Sequence, residues 1–191
     1  MPAPTPSWQA LRSSANPTIG PSSTRCAANS PEVLPMASLL LVCTANICRS
    51  PMAEAIFKAR AGQLFQTIRS AGVHASPRGG PVDARAAAAL GRHDYALERR
   101  WRSHRVQAEE LGRYDLVLAM EADHVKALRE QAPQQQDRIR LLLDFVPELA
   151  GQDVPDPYFS SAQGFDAVIK MIERAAQGVH SAARDGALRL A

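Results

Sequence analysis

The chain is poor in several things, and each shortage excludes a class of function. Aromatic residues make up 5% of its 191 positions, too few for the stacking platforms that bind single-stranded nucleic acid. Lys and Arg outnumber Asp and Glu by only 22 to 19, a net charge of +3. That excess is too small to mark a nucleic-acid surface, so no nucleic-acid partner is expected. Three cysteines, an odd number, cannot build a disulfide scaffold. No apolar run approaches the ~18 residues of a membrane helix, so no membrane span is expected. The five histidines, His74, His93, His104, His124 and His180, show no metal-ligand spacing, and neither a metal nor another cofactor is expected. The expected location is the cytoplasm.

Residues 1–36 differ in composition from the rest of the chain. They hold seven of the fourteen prolines and six serines, with Arg12, Arg25 and Glu32 as their only charges. Such a stretch cannot bury enough apolar surface to offset its ordering entropy and is expected to be disordered. It lacks the apolar core of about 7–15 residues that a secretory signal requires. Two readings stand: an organelle-targeting segment poor in acids, or, the one favoured, a misassigned start ahead of Met36. Cys26 lies in this stretch and is taken as incidental. Function is expected within residues 37–191.

There the pattern alternates. Residues 38–42 form an apolar run that reads as a buried parallel strand. Residues 51–65 read as a helix, 67–71 as a strand, and the alanine-rich 82–90 as a helix stopped by Gly91. Residues 115–120 read as a strand, 121–131 as a helix ending before Pro133, and 139–145 as a fourth strand. Phe165, Val168, Ile169, Ile172 and Val179 recur at the spacing of one helical face. This βαβα order predicts a single α/β domain: a four-stranded parallel sheet, flavodoxin-like or Rossmann-like, with helices on both faces. Ligands bind such sheets at the carboxyl ends of the strands.

The stretch from Val42 to Pro51 lies at such an end, as a phosphate-binding loop after the first strand. Cys43, Thr44, Ala45, Asn46, Ile47, Cys48, Arg49 and Ser50 succeed one another there. A tight loop of this length can turn successive backbone N–H groups inward as an anion nest. Ser50 reads as an N-cap and Pro51 as the first helical residue, so the helix's positive end faces the same nest. Glu54 reads as a first-turn acid complementing that dipole. This field suits a phosphate dianion and favours a thiolate at Cys43. Arg49 offers a planar fork for two phosphoryl oxygens. A buried structural cysteine would fit the same local pattern.

With these residues in view, the chain resembles the low-molecular-weight protein tyrosine phosphatases. Val42-Cys43 with Asn46, Cys48-Arg49-Ser50-Pro51, Ala53 and Glu54 match that family's signature. So do Arg69-Ser70-Ala71-Gly72, Pro81 to Arg85 and Tyr114 to Met120, across most of residues 38–178. Ala45 stands where the family usually has glycine; a left-handed backbone there would cost alanine about 1 kcal/mol or more. The resemblance implies Cys43 as nucleophile, Arg49 and the loop amides as phosphate ligands, and Asn46, Ser50 and Ser70 as a supporting network. The histidine that often completes this network has no match in residues 97–102. Asp156, within Asp156-Pro157-Tyr158, is the implied general acid, although by local sequence this is an ordinary turn and Asp153 is a nearby competitor. Tyr158 and Phe159 are the implied aromatic flanks of the pocket. Cys48 is either a reversible disulfide partner of Cys43 or a packing residue.

The expected function is therefore hydrolysis of phosphotyrosine in proteins, with inorganic phosphate as product. An arsenate reductase of the same fold is the alternative, but such enzymes relay electrons through two further cysteines and none lies beyond Cys48. A non-catalytic phosphate-binding module would not need Cys43, Arg49 and Asp156 together. Arg92, Arg99, Arg100, Arg102 and Arg105 around Trp101 read first as a solvated loop and second as a dock for acidic phosphopeptides.

Overall fold

Seven buried residues in a row, Ala37–Cys43, form β1, because a central parallel strand is covered on both faces. The computed structural model describes residues 37–188; the expectation for residues 1–36 lies outside the described residues. The other strands are β2 (Phe65–Gly72), β3 (Leu116–Ala119) and β4 (Ile139–Leu141). They form one parallel sheet in the order β2-β1-β3-β4. The helices are α1 (Arg49–Ala61), α2 (Ala84–Arg92), α3 (Ala108–Leu111), α4 (Ala122–Gln131) and α5 (Ala162–Arg184). The four-stranded parallel α/β sheet is thus as expected.

Alternation along β1 divides the core. Leu39 and Leu41 point to one face, where Met52 and Ile56 of α1 pack with Phe165, Ile169 and Ile172 of α5. Leu40 and Val42 point to the other, against Leu111 of α3 and Leu128 of α4. All five predicted anchors of α5 are buried, each contributing roughly 1.5–3 kcal/mol of apolar burial.

Element boundaries moved where side chains found other employment. Helix α2, predicted from Val82, starts at Ala84 because the Asp83 carboxylate caps it through the Arg85 amide at 2.8 Å. The fourth strand ends at Leu141, since Leu142–Phe145 turn into a 3₁₀ segment that buries Leu142 and Leu143. The four-residue α3 is too short to leave a periodic signal.

The strand order has one consequence for function. β1 connects outward to β2, and the chain then crosses back to β3 on the other side of β1. The loops after β1 and β3 therefore diverge and leave a crevice at their carboxyl ends, as expected at a topological switch point.

Candidate active site

The loop from Thr44 to Cys48 fills that crevice. Its carbonyls are tied outward: those of Cys43, Thr44 and Ile47 accept from the amides of Val73, His74 and Asp83 at 3.0, 2.8 and 2.8 Å. Its own amides, residues 44–48, donate to no protein acceptor among the described residues. Asn46 adopts φ 52°, a left-handed turn that asparagine tolerates better than most side chains. Pinned carbonyls and unpaired amides on a tight turn are the physical content of an anion nest. Ala45 does not have a positive φ, so its departure from glycine carries no backbone strain.

The indispensable glycine lies elsewhere. Gly72, paired with Cys43 at the end of β2, passes directly beneath the loop. A Cβ at Gly72 would lie 2.7 Å from the Thr44 oxygen and 2.8 Å from the Asn46 nitrogen. Gly72→Ala should therefore push the loop out of shape, costing about 1–3 kcal/mol of stability. It should also weaken competitive inhibition by phosphate at least about tenfold. A thermal melt and an inhibition constant check both; unchanged inhibition would show that the loop has room.

Cys43 sits at the base of the nest, and Ser50 Oγ lies 3.0 Å from its Sγ. Ser50 does not cap the helix. Helix α1 begins at Arg49, with Cys48 in the cap position and no side-chain cap, because the Ser50 hydroxyl is committed to Cys43 and to the Ala71 carbonyl at 3.2 Å. Asn46 Nδ2 donates to Ser50 Oγ at 2.8 Å and to Ser70 Oγ at 3.0 Å, while the His104 amide donates to Asn46 Oδ1 at 2.7 Å. Glu54 is not a first-turn acid. It is buried, accepts from Ser70 Oγ at 2.6 Å and from Trp101 Nε1 at 3.0 Å, and pairs with Lys58 at 2.7 Å. Trp101 thus closes the network where the family histidine has no match, and the neighbouring Arg99, Arg100 and Arg102 are exposed.

Arg49 is 2% exposed and pinned on one side. Its Nη1 pairs with Glu121 and donates to the Val154 carbonyl at 3.0 Å. Its Nη2 donates to Asp156 Oδ2 at 2.9 Å and, more weakly, to Thr44 Oγ1 at 3.3 Å. Asp156 is aimed by its own turn, Oδ1 accepting from the Tyr158 amide at 3.0 Å. Asp153 is committed elsewhere: its carboxylate accepts from the Ala122 amide at 2.8 Å, at the start of α4.

These parts enclose a pocket of about 240 Å³ lined by Cys43, Thr44, Ala45, Ile47, Cys48, Arg49, Asp156 and Tyr158. Phe159 does not line it; this ring is 97% exposed and stands edge-on to Tyr158 at 5.0 Å. Asn46, Ser50 and Ser70 lie behind the loop as support. Burial, with Asp83, Asp156 and Cys43 adding, pushes the Cys48 thiol up to about 12, so Cys48 stays protonated at neutral pH and does not compete as nucleophile. Arg85, which donates to the Tyr158 carbonyl at 2.7 Å and stacks 5.0 Å from its ring, ties the Asp156 turn to Asp83 and so to the loop. Local sequence gives no sign of the contributions of Arg85, Glu121 and Trp101; they come from α2 and from loops distant in the chain.

Residues 38–186 match the model of the low molecular weight phosphotyrosine protein phosphatase family. A low molecular weight protein-tyrosine-phosphatase of Streptomyces coelicolor is 42% identical, over 75% of this chain and 92% of that protein. The solved structure of Vibrio vulnificus Wzb in complex with benzylphosphonate has a TM-score of 0.69 at 29% identity, covering 77% of this chain and 99% of that one. The YwlE arginine phosphatase of Geobacillus stearothermophilus has the same TM-score at 28% identity, over 78% and 94%. The chain belongs to the low molecular weight phosphotyrosine protein phosphatase family.

Proposed function

We infer that the chain hydrolyses phosphotyrosine in proteins through a phosphocysteine at Cys43. The observation that carries this reading is the Cys43 thiol and the Arg49 guanidinium in one pocket, beside a loop whose amides, residues 44–48, donate to no protein acceptor among the described residues. The Cys43 thiolate attacks phosphorus, the bond from phosphorus to the phenolic oxygen breaks, and Asp156 gives that oxygen its proton. Asp156 then takes a proton from water, whose oxygen displaces the sulfur and releases inorganic phosphate. Loop amides and Arg49 hold the equatorial oxygens in both steps, and the Ser50 hydroxyl steadies the sulfur as leaving group. An arriving phosphoryl group would compete with Asp156 for Arg49 Nη2 and so free the carboxyl for the leaving oxygen.

The walls favour a phenyl ring. Ile47 and Tyr158 present apolar surface above the nest, where the charged guanidinium of a phosphoarginine would find poor solvation. Catalysis needs Cys43 reduced, which suits a reducing compartment, and we place the protein in the cytoplasm. No helix among the described residues is long and apolar enough to cross a membrane.

The test is direct. Purified protein with a metal chelator present should hydrolyse phosphotyrosine peptides faster than phosphoarginine peptides, and vanadate should inhibit it. Asp156→Asn should slow turnover of phosphotyrosine by about 10²–10⁴-fold. The loss should be smaller on p-nitrophenyl phosphate, whose leaving group scarcely needs a proton. Equal losses on both substrates would remove Asp156 from the role of acid.

A further inference from the structure

The Thr44 hydroxyl oxygen has two neighbours: Arg49 Nη2 at 3.3 Å and His124 Nε2 at 2.9 Å. Arg49 can only donate. The imidazole can do either, depending on which nitrogen carries hydrogen. Two observations decide this. Glu121 Oε2 lies 3.5 Å from the same Nε2, and a nitrogen lone pair facing a carboxylate would be repelled where an N–H is attracted. Nδ1 is the only buried side-chain nitrogen or oxygen among the described residues with no hydrogen-bond partner. Placing the hydrogen there would leave a buried donor unmade at the cost of its desolvation. The side chain is 5% exposed, and burial holds the imidazole below the ordinary histidine range, Arg49 adding to the effect and Glu121 opposing it. It is therefore neutral at neutral pH, with the hydrogen on Nε2.

Both lone pairs of Thr44 Oγ1 are then occupied, and its one hydrogen has no acceptor among the described residues. Thr44 lines the pocket with Cys43 and Arg49. We propose that His124 is a positioning residue that fills the Thr44 oxygen so that the Thr44 hydroxyl donates its hydrogen into the nest, to an oxygen of the bound phosphoryl group. The inference rests on reading the loop as a phosphate nest. It adds a side-chain donor to the backbone amides, held from the β3 side of the crevice by a residue that touches no substrate.

Two measurements test it. In the first, the unmodified protein must hydrolyse p-nitrophenyl phosphate and be inhibited by inorganic phosphate; failure there overturns the phosphatase reading together with this one. Given that, Thr44→Val should raise the phosphate inhibition constant about tenfold and His124→Leu about fivefold. The double variant should be no worse than Thr44→Val alone, and His124→Gln, which can still donate, should lose less than His124→Leu. Losses that multiply in the double variant, or none in His124→Leu, would overturn the proposal. The second measurement needs no variant and survives any failure of His124→Leu to fold. Nitrogen-15 spectra of the histidines in the unmodified protein should show His124 neutral with its hydrogen on Nε2; hydrogen on Nδ1 would overturn the proposal even in an active enzyme.

Discussion

Cys43→Ser is expected to reduce phosphotyrosine turnover by roughly 10⁴–10⁶-fold while leaving phosphate binding nearly intact. The two halves of that expectation have separate causes. On the proposed mechanism, binding rests on the amides of residues 44–48 and on Arg49, none of which the substitution touches. Turnover, on the proposed mechanism, needs an anionic nucleophile at the base of the nest. A thiol ionises far more readily than a hydroxyl, so a serine in the same place would stay neutral where the proposed mechanism needs an anion. Ser50 lies 3.0 Å from Sγ and will hydrogen-bond to the new hydroxyl, so the geometry should survive. Single-turnover hydrolysis alongside calorimetric binding of phosphate separates the two effects. Turnover within tenfold of the parent would mean that the nucleophile is another group.

Arg49→Lys should be the next most damaging, lowering kcat/KM by about 10³-fold. The guanidinium serves several partners at once: Glu121 and the Val154 carbonyl on Nη1, Asp156 and Thr44 on Nη2. A lysine ammonium is a point charge on a flexible stem. Drawn to Glu121, it would be lost to the phosphoryl oxygens; drawn to the pocket, it would strand Glu121. The variant should keep its charge and its fold but lose the planar fork that matches a trigonal-bipyramidal phosphorus. Steady-state kinetics should show the loss chiefly in kcat, since the fork matters most where equatorial charge develops. A variant within tenfold of the parent would show that any cation suffices.

The strand before Cys43, the spacing to Arg49 and the face of α5 are legible in the sequence because each is a local pattern. A run of apolar residues, a five-residue gap and a helical repeat need no knowledge of the rest of the chain. The supports of the site are not legible, for the opposite reason. Glu121 and His124 reach Arg49 and Thr44 only because the sheet order brings the end of β3 beside the end of β1. His124 carries no ligand spacing in the sequence, and its role depends on neighbours some 80 residues away in the chain. Glu54 resembles a dipole-complementing acid in the sequence because its partners, Ser70 and Trp101, belong to β2 and to a divergent loop. Ala45 stands out in the sequence as the missing glycine, yet the close approach that demands glycine is at Gly72, on the neighbouring strand. The two aromatics Tyr158 and Phe159 are equivalent in sequence, but only Tyr158 turns to the pocket.

The most direct test of the central claim is to mix the enzyme with a phosphotyrosine peptide, quench with acid within a turnover, and locate phosphorus in the protein by mass spectrometry. A phosphoryl group on the sulfur of Cys43, absent when the quench comes after complete turnover, is the predicted result. Peptide hydrolysis with Cys43 never phosphorylated, or with phosphorus on another residue, would contradict it.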